Sequence, residues 1–114
     1  MRCSPAVLAL VAGLGGCASP AERDLEAVKS ARSVLAEWAL VEAQASRDST
    51  PATYAEEMRS AAGDQLAKAR QTLRERRPEA AARLSISADG PANPAELRAV
   101  REALKPLETA LADS

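Results

Sequence analysis

After Pro20 the chain runs to Arg47 without a Gly or a Pro, and this uninterrupted stretch constrains the fold more than any other feature. At its head, Ser19-Pro20-Ala21-Glu22 has the form of a capping box. The Ser hydroxyl can accept from the backbone at Glu22, Glu22 can reach back, and Pro20 suits the first helical turn. Leu25, Val28, Ala31, Leu35, Trp38, Val41 and Ala45 then recur at spacings of three and four. That period gives a single apolar stripe along one helix over about 20–47. At ~1.5 Å per residue such a helix is roughly 40 Å long.

Two further helices follow from the punctuation. Beyond the polar break Ser46–Ser49, Thr50 before Pro51 and the box Thr53-Tyr54-Ala55-Glu56 offer alternative starts to a helix over 51–77. Its stripe is Tyr54, Met58, Ala62, Leu66, Ala69 and Leu73, and Pro78 disfavours helical geometry in the residue before it. Arg74, Arg76 and Arg77 fall in the expected last turn, where cations complement exposed carbonyls. The segment Glu79–Arg83 can add one more turn. Asp89-Gly90-Pro91 is strong turn chemistry, and Asn93-Pro94-Ala95-Glu96 opens a third helix over 94–112. This helix carries Leu97, Val100, Leu104, Leu107 and Leu111, with a kink or frayed end expected at Pro106.

The short break before Pro51 forces the first two helices into an antiparallel hairpin. A turn centred near Ser49 makes facing residues sum to about 98–100, by equal rise along both helices. Trp38 then faces Ala61 and Ala62, Val41 faces Met58, and Leu25 lies near Leu73. Large opposes small at the Trp, as interdigitated packing requires. With the third helix over the groove, the expected fold is all-α, a small three-helix bundle in a single domain over 20–112. Ala makes up about a quarter of the residues, so the core is expected to be thin.

The first sixteen residues have a different character. Arg2 supplies a short positive region, and Ala6–Leu14 is apolar but well short of the ~20 residues that span a bilayer. Leu14-Gly15-Gly16-Cys17 resembles the lipobox of bacterial lipoproteins, in which a branched apolar residue and two small ones precede the obligatory Cys. The resemblance implies a signal peptide over 1–16, removed on export, and acyl chains on Cys17 that hold the chain to a membrane. Residues 17–19 are then a minimal tether. Ala18, where Asp would favour inner-membrane retention, implies sorting to the outer membrane, facing the periplasm. The alternative is cleavage after Ala18 by an ordinary signal peptidase, which leaves a soluble periplasmic protein. The mature part resembles the small helical envelope lipoproteins in outline only.

Composition narrows the function. Removing residues 1–16 from the 114 leaves 98, and losing Arg2 from 15 basic side chains leaves 14 against 16 acidic ones, a net charge of −2. Weak acidity with one Trp, one Tyr and no Phe argues against nucleic-acid binding. His is absent and the mature Cys is the acylated one, so no zinc site, haem ligation, disulfide or Cys/His nucleophile is expected. The remaining polar types form no recognisable catalytic set, and neither an enzyme nor a cofactor is expected.

Several groups admit a ligand role beside a plainer one. Glu22 and Glu26 lie one turn apart, but acids in a first turn usually match the helix dipole. Arg70, Arg74 and Arg77 line one helix side and could meet phosphate groups, although a solvated face beside Glu75 and Glu79 is the simpler account. Gly63 costs about 1 kcal/mol within a helix and marks either a close approach of the third helix or a break. Trp38 belongs to the core by its place on the stripe, whereas Tyr54 near the hairpin tip suits an exposed contact. Glu22, Asp24 and Glu26 against Arg23 should repel anionic headgroups. The expected function is therefore a lipid-anchored, non-catalytic module that engages a protein partner in the envelope. The alternative is a small-ligand or lipid-binding helical module.

Overall fold

A computed structural model describes residues 19–47 and 50–113. Among these residues all regular structure is helical: α1 Pro20–Ala45, α2 Ala52–Leu73, α3 Pro78–Arg83, α4 Pro94–Ala103 and α5 Lys105–Ala112. The Ser19 box forms as the sequence requires, with the Glu22 N–H donating to Ser19 Oγ and the Ser19 N–H to the Glu22 carboxylate. Asn93 likewise accepts from the Ala95 and Glu96 N–H groups and starts α4. No described helix is long and apolar enough to cross a membrane.

Helix α1 is the spine. Its backbone runs close to α2 on one side and to α4 and α5 on another, while α3 packs on α2. The third-helix segment therefore lies mainly on α1, not evenly over the α1–α2 groove. Val28, Leu35 and Trp38 of α1 are fully buried with Leu66 and Leu73 of α2 and Leu84 beyond α3. Leu97, Leu104 and Leu111 close the same core, with Val100 and Leu107 packed at its margin. Trp38 and the small Ala62 are both within it, as the expected large-to-small facing demands.

Side-chain pairs fix the hairpin register. Asp24 bonds Arg76 and Glu42 bonds Arg59, with residue numbers summing to 100 and 101. The estimate from a turn near Ser49 is thus correct to about one residue at both ends.

The boundaries of α2 differ from expectation at both ends, whereas the disturbance expected at Pro106 is present. Helix α2 stops at Leu73 and not at Arg77; Arg74–Arg76 form a turn, and α3 starts afresh at Pro78. Neither expected cap of α2 is used. Pro51 holds the cap position without a side-chain bond, and the Thr50 hydroxyl turns to Gln44 instead. The third helix is interrupted at Leu104, two residues before Pro106, which has no N–H for the carbonyl of Glu102. Arg32 of α1 secures this junction. Its Nε donates to the Arg101 carbonyl at 3.1 Å, and its guanidinium meets Glu108 at 2.6 Å.

Gly63 neither breaks α2 nor receives the third helix. A Cβ at this position would lie 3.0 Å from the Ala88 methyl, so the close neighbour is the 85–92 connection. That connection is not a simple surface loop, because Ile86, Ala88 and Ala92 pack against the core.

Candidate functional site

The sequence-predicted site residues do not converge. Cys17, with the signal-like segment before it, lies outside the described residues. Tyr54 sits in the first turn of α2 with about half its surface open (52%), and among the described residues Leu40 of α1 is the other large apolar side chain so exposed (57%). Arg70 is half-buried in the last turn of α2, and Arg74 is exposed just beyond it. Because α2 ends at Leu73, Arg77 does not continue their row: it becomes the cap residue of α3. The expected three-arginine helix side is therefore divided between two elements.

Two buried carboxylates organise the polar chemistry instead. Glu42 is 3% exposed and accepts from Trp38 Nε1 at 2.9 Å, Arg59 Nε at 2.6 Å and Arg59 Nη2 at 3.0 Å. The Ala92 backbone N–H also donates to it. Burial pushes the Glu42 carboxyl up, but bonds from Arg59, Trp38 and Ala92, with the Arg59 charge, outweigh it and hold the group below its ordinary 4.5. The bonds to Glu42 in turn raise the Arg59 guanidinium, against the desolvation that lowers it. The three side-chain bonds mark Glu42 as a structural hub joining α1 and α2, with the Ala92 backbone of the 85–92 connection also favouring its charged form.

Asp24, at the other end of the hairpin, is 1% exposed and grips Arg76 in a bidentate pair of 3.0 and 2.7 Å. Hydrogen bonding to Asp24 raises the Arg76 guanidinium. Arg77 stands 3.9 Å from the same carboxylate. The expectation that Asp24 adds to an acidic, lipid-repelling first turn is thus corrected: its charge is buried and matched across the hairpin. The last-turn arginines are likewise more than dipole partners, since Arg76 closes a long-range ion pair.

Both carboxylates carried a signal in the sequence. Asp24 lies four residues before Val28 and Glu42 four after Trp38, so each falls on the apolar stripe of α1. A charged residue on such a stripe requires a partner, and the hairpin register points to Arg76 and Arg59. Composition alone hides this, because acids and arginines are plentiful everywhere on the chain.

Among the described residues open clefts surround this frame, and four of them carry charged side chains. A groove of about 770 Å³ between the first half of α1 and the last half of α2 carries Glu22, Arg23, Glu26 and Lys68, equal in sign. A cleft of about 530 Å³ beside Gly63 is acidic, with Glu56, Asp64 and Asp89 against Arg59. One of about 350 Å³ holds Lys29, Arg32 and Arg101 with Glu37 and Glu108. The fourth, about 430 Å³, lies between α3 and the α4–α5 junction and is lined by Arg76, Arg77 and Arg83. No cluster of three or more acidic, His or Cys ligands suited to a metal exists among the described residues. No protein-family model matches this chain, and no curated protein or solved structure is detectably similar to it.

Proposed function

We propose that this chain is a lipid-anchored, non-catalytic interaction module: a three-helix bundle, its third helix broken at Leu104, held to a bacterial envelope membrane through acyl chains on Cys17. Outer-membrane attachment facing the periplasm is part of the same proposal. The observation that carries it is the start of the fold. The capping bonds of Ser19 close only one residue after Ala18, so almost no tether separates Cys17 from the spine helix. The short tether keeps the Ser19 end of the bundle close to the surface to which Cys17 is attached. Tyr54 and Leu40, exposed although apolar, lie toward the hairpin turn, with Leu40 about 30 Å along α1 from Ser19. They are the side chains that fit a protein partner at the end away from the anchor.

Fatty-acid labelling of cells tests the anchor. The wild-type chain should incorporate label and sediment with membranes, whereas Cys17→Ser should do neither. Absence of label from both forms overturns the proposal. A photo-crosslinking residue at Tyr54 should give one discrete adduct in the envelope, and its absence removes Tyr54 from the contact surface.

A further inference from the structure

We propose that the cleft between α3 and the α4–α5 junction binds the phosphate group of an anionic amphiphile, a phospholipid headgroup. Its rim holds the guanidiniums of Arg76, Arg77 and Arg83, and its floor is Leu104, Pro106 and Leu107. Guanidinium groups offer paired N–H donors that match phosphate oxygens, while the aliphatic floor suits the glycerol and first methylenes of a lipid. At about 430 Å³ the cleft is within the usual range of ligand sites, about 300–1,000 Å³.

Charge favours a phosphodiester. The three arginines face Glu79 on the rim and Asp24 behind Arg76, which leaves one net positive charge. A phosphodiester carries one negative charge. Asp24 occupies Nε and Nη2 of Arg76, and Nη1 makes no hydrogen bond among the described residues. Arg77 makes only the 3.9 Å approach to Asp24, and Arg83 is exposed with no ion pair among the described residues. The cleft at Lys29, Arg32 and Arg101 has the same net sign but differs in two respects. Its Arg32 is already committed to Glu108 and the Arg101 carbonyl, and it has no aliphatic floor.

Position selects lipid as the source of the phosphate. Arg76 touches Asp24, five residues after Ser19, a rise of about 7.5 Å along α1. Two further residues lead to Cys17, at most ~7 Å away when fully extended. Asp24, which Arg76 grips, therefore lies within about 15 Å of the anchoring residue by this path, and the cleft that Arg76 lines is at the anchored end of the bundle. The choice of lipid rests on the proposed anchor, whereas the phosphate site itself does not.

The test is thermal unfolding of the full chain in an uncharged detergent, titrated with dihexanoyl phosphatidylglycerol, dihexanoyl phosphatidylcholine or inorganic phosphate. The anionic lipid should raise the melting midpoint saturably, by about 5–10 °C at ten times its Kd, while the choline lipid should not. Arg77→Gln with Arg83→Gln should abolish the response, and Arg83→Gln alone should weaken binding about tenfold. An equal rise with inorganic phosphate would overturn the lipid assignment in favour of the free anion. No response, or one that survives the double substitution, overturns the site. The titration needs no acyl chain on Cys17, so its failure is distinct from failure of the labelling experiment.

Discussion

The two ends of the α1–α2 hairpin are built from the same parts and finished differently. Each has a carboxylate on the stripe of α1 and a bidentate arginine from the opposing segment. At the Glu42 end the carboxylate also takes Trp38 and the Ala92 backbone, and Arg59 is itself well covered. At the Asp24 end the arginines stand in the open, with Arg76 38% and Arg77 44% exposed. The covered network, with Arg59 only 13% exposed, offers little surface to an outside acceptor and chiefly rigidifies the fold. An open one leaves guanidinium capacity for another acceptor. The contrast separates a structural end from one able to bind.

Trp38→Ala is the strongest way to break the closed end. It should cost about 3–5 kcal/mol through lost volume, and it also takes one donor from Glu42. Chemical denaturation should show the variant largely unfolded or with a sharply lowered midpoint. Arg47→Ala, in the exposed turn beyond α1, should stay within about 0.5 kcal/mol. Equal effects would mean that the stripe of α1 is misassigned.

The two arginines sharpen the comparison. Arg59→Ala leaves a buried carboxylate with only neutral donors and should cost about 3 kcal/mol. Arg76→Ala should cost about 1.5 kcal/mol, since Arg77 and solvent can approach Asp24. Matching losses in equilibrium unfolding would erase the distinction between the ends.

Acid gives the smallest effect. The folded-state pKa of Glu42 is lowered, so its contribution is fully present above the ordinary 4.5 and is lost as pH falls through the depressed value. Stability measured from pH 6 to 3 should fall in the wild type. The fall should be shallower in Glu42→Gln, which has no charge there to lose. Identical slopes would show that Glu42 is not ionised by its donors as described.

Much of this architecture was legible before any coordinates. The stripes of α1 and α2, the Ser19 and Asn93 caps and the hairpin register all follow from local rules, because period, punctuation and equal rise act over a few turns. The end of α2 was not legible, since nothing in Arg74-Glu75-Arg76 itself forbids helix and only Pro78 gave a limit. The interruption at Leu104 follows from Pro106, but the arginine that secures it comes from 69 residues away in sequence. The candidate cleft was harder still. Arg77 stood out by spacing along a helix that does not reach it, and Arg83 joins it only because the chain restarts as α3, the short helix that these two residues bound.

The junction of Gly63 with Ala88 bears on how the molecule tolerates change in length. Connections between helices ordinarily accept insertions, being exposed and weakly packed. Here the Ala88 methyl rests where Gly63 has no side chain, Ile86 enters the core margin, and Ala92 donates to Glu42. Lengthening the 85–92 segment would shift all three anchor points together. The turn at Ser46–Thr50 carries no comparable set of core contacts among its described residues. A tag, a reporter or a circular-permutation break thus belongs in the hairpin turn, and the longer segment should be left at its present length.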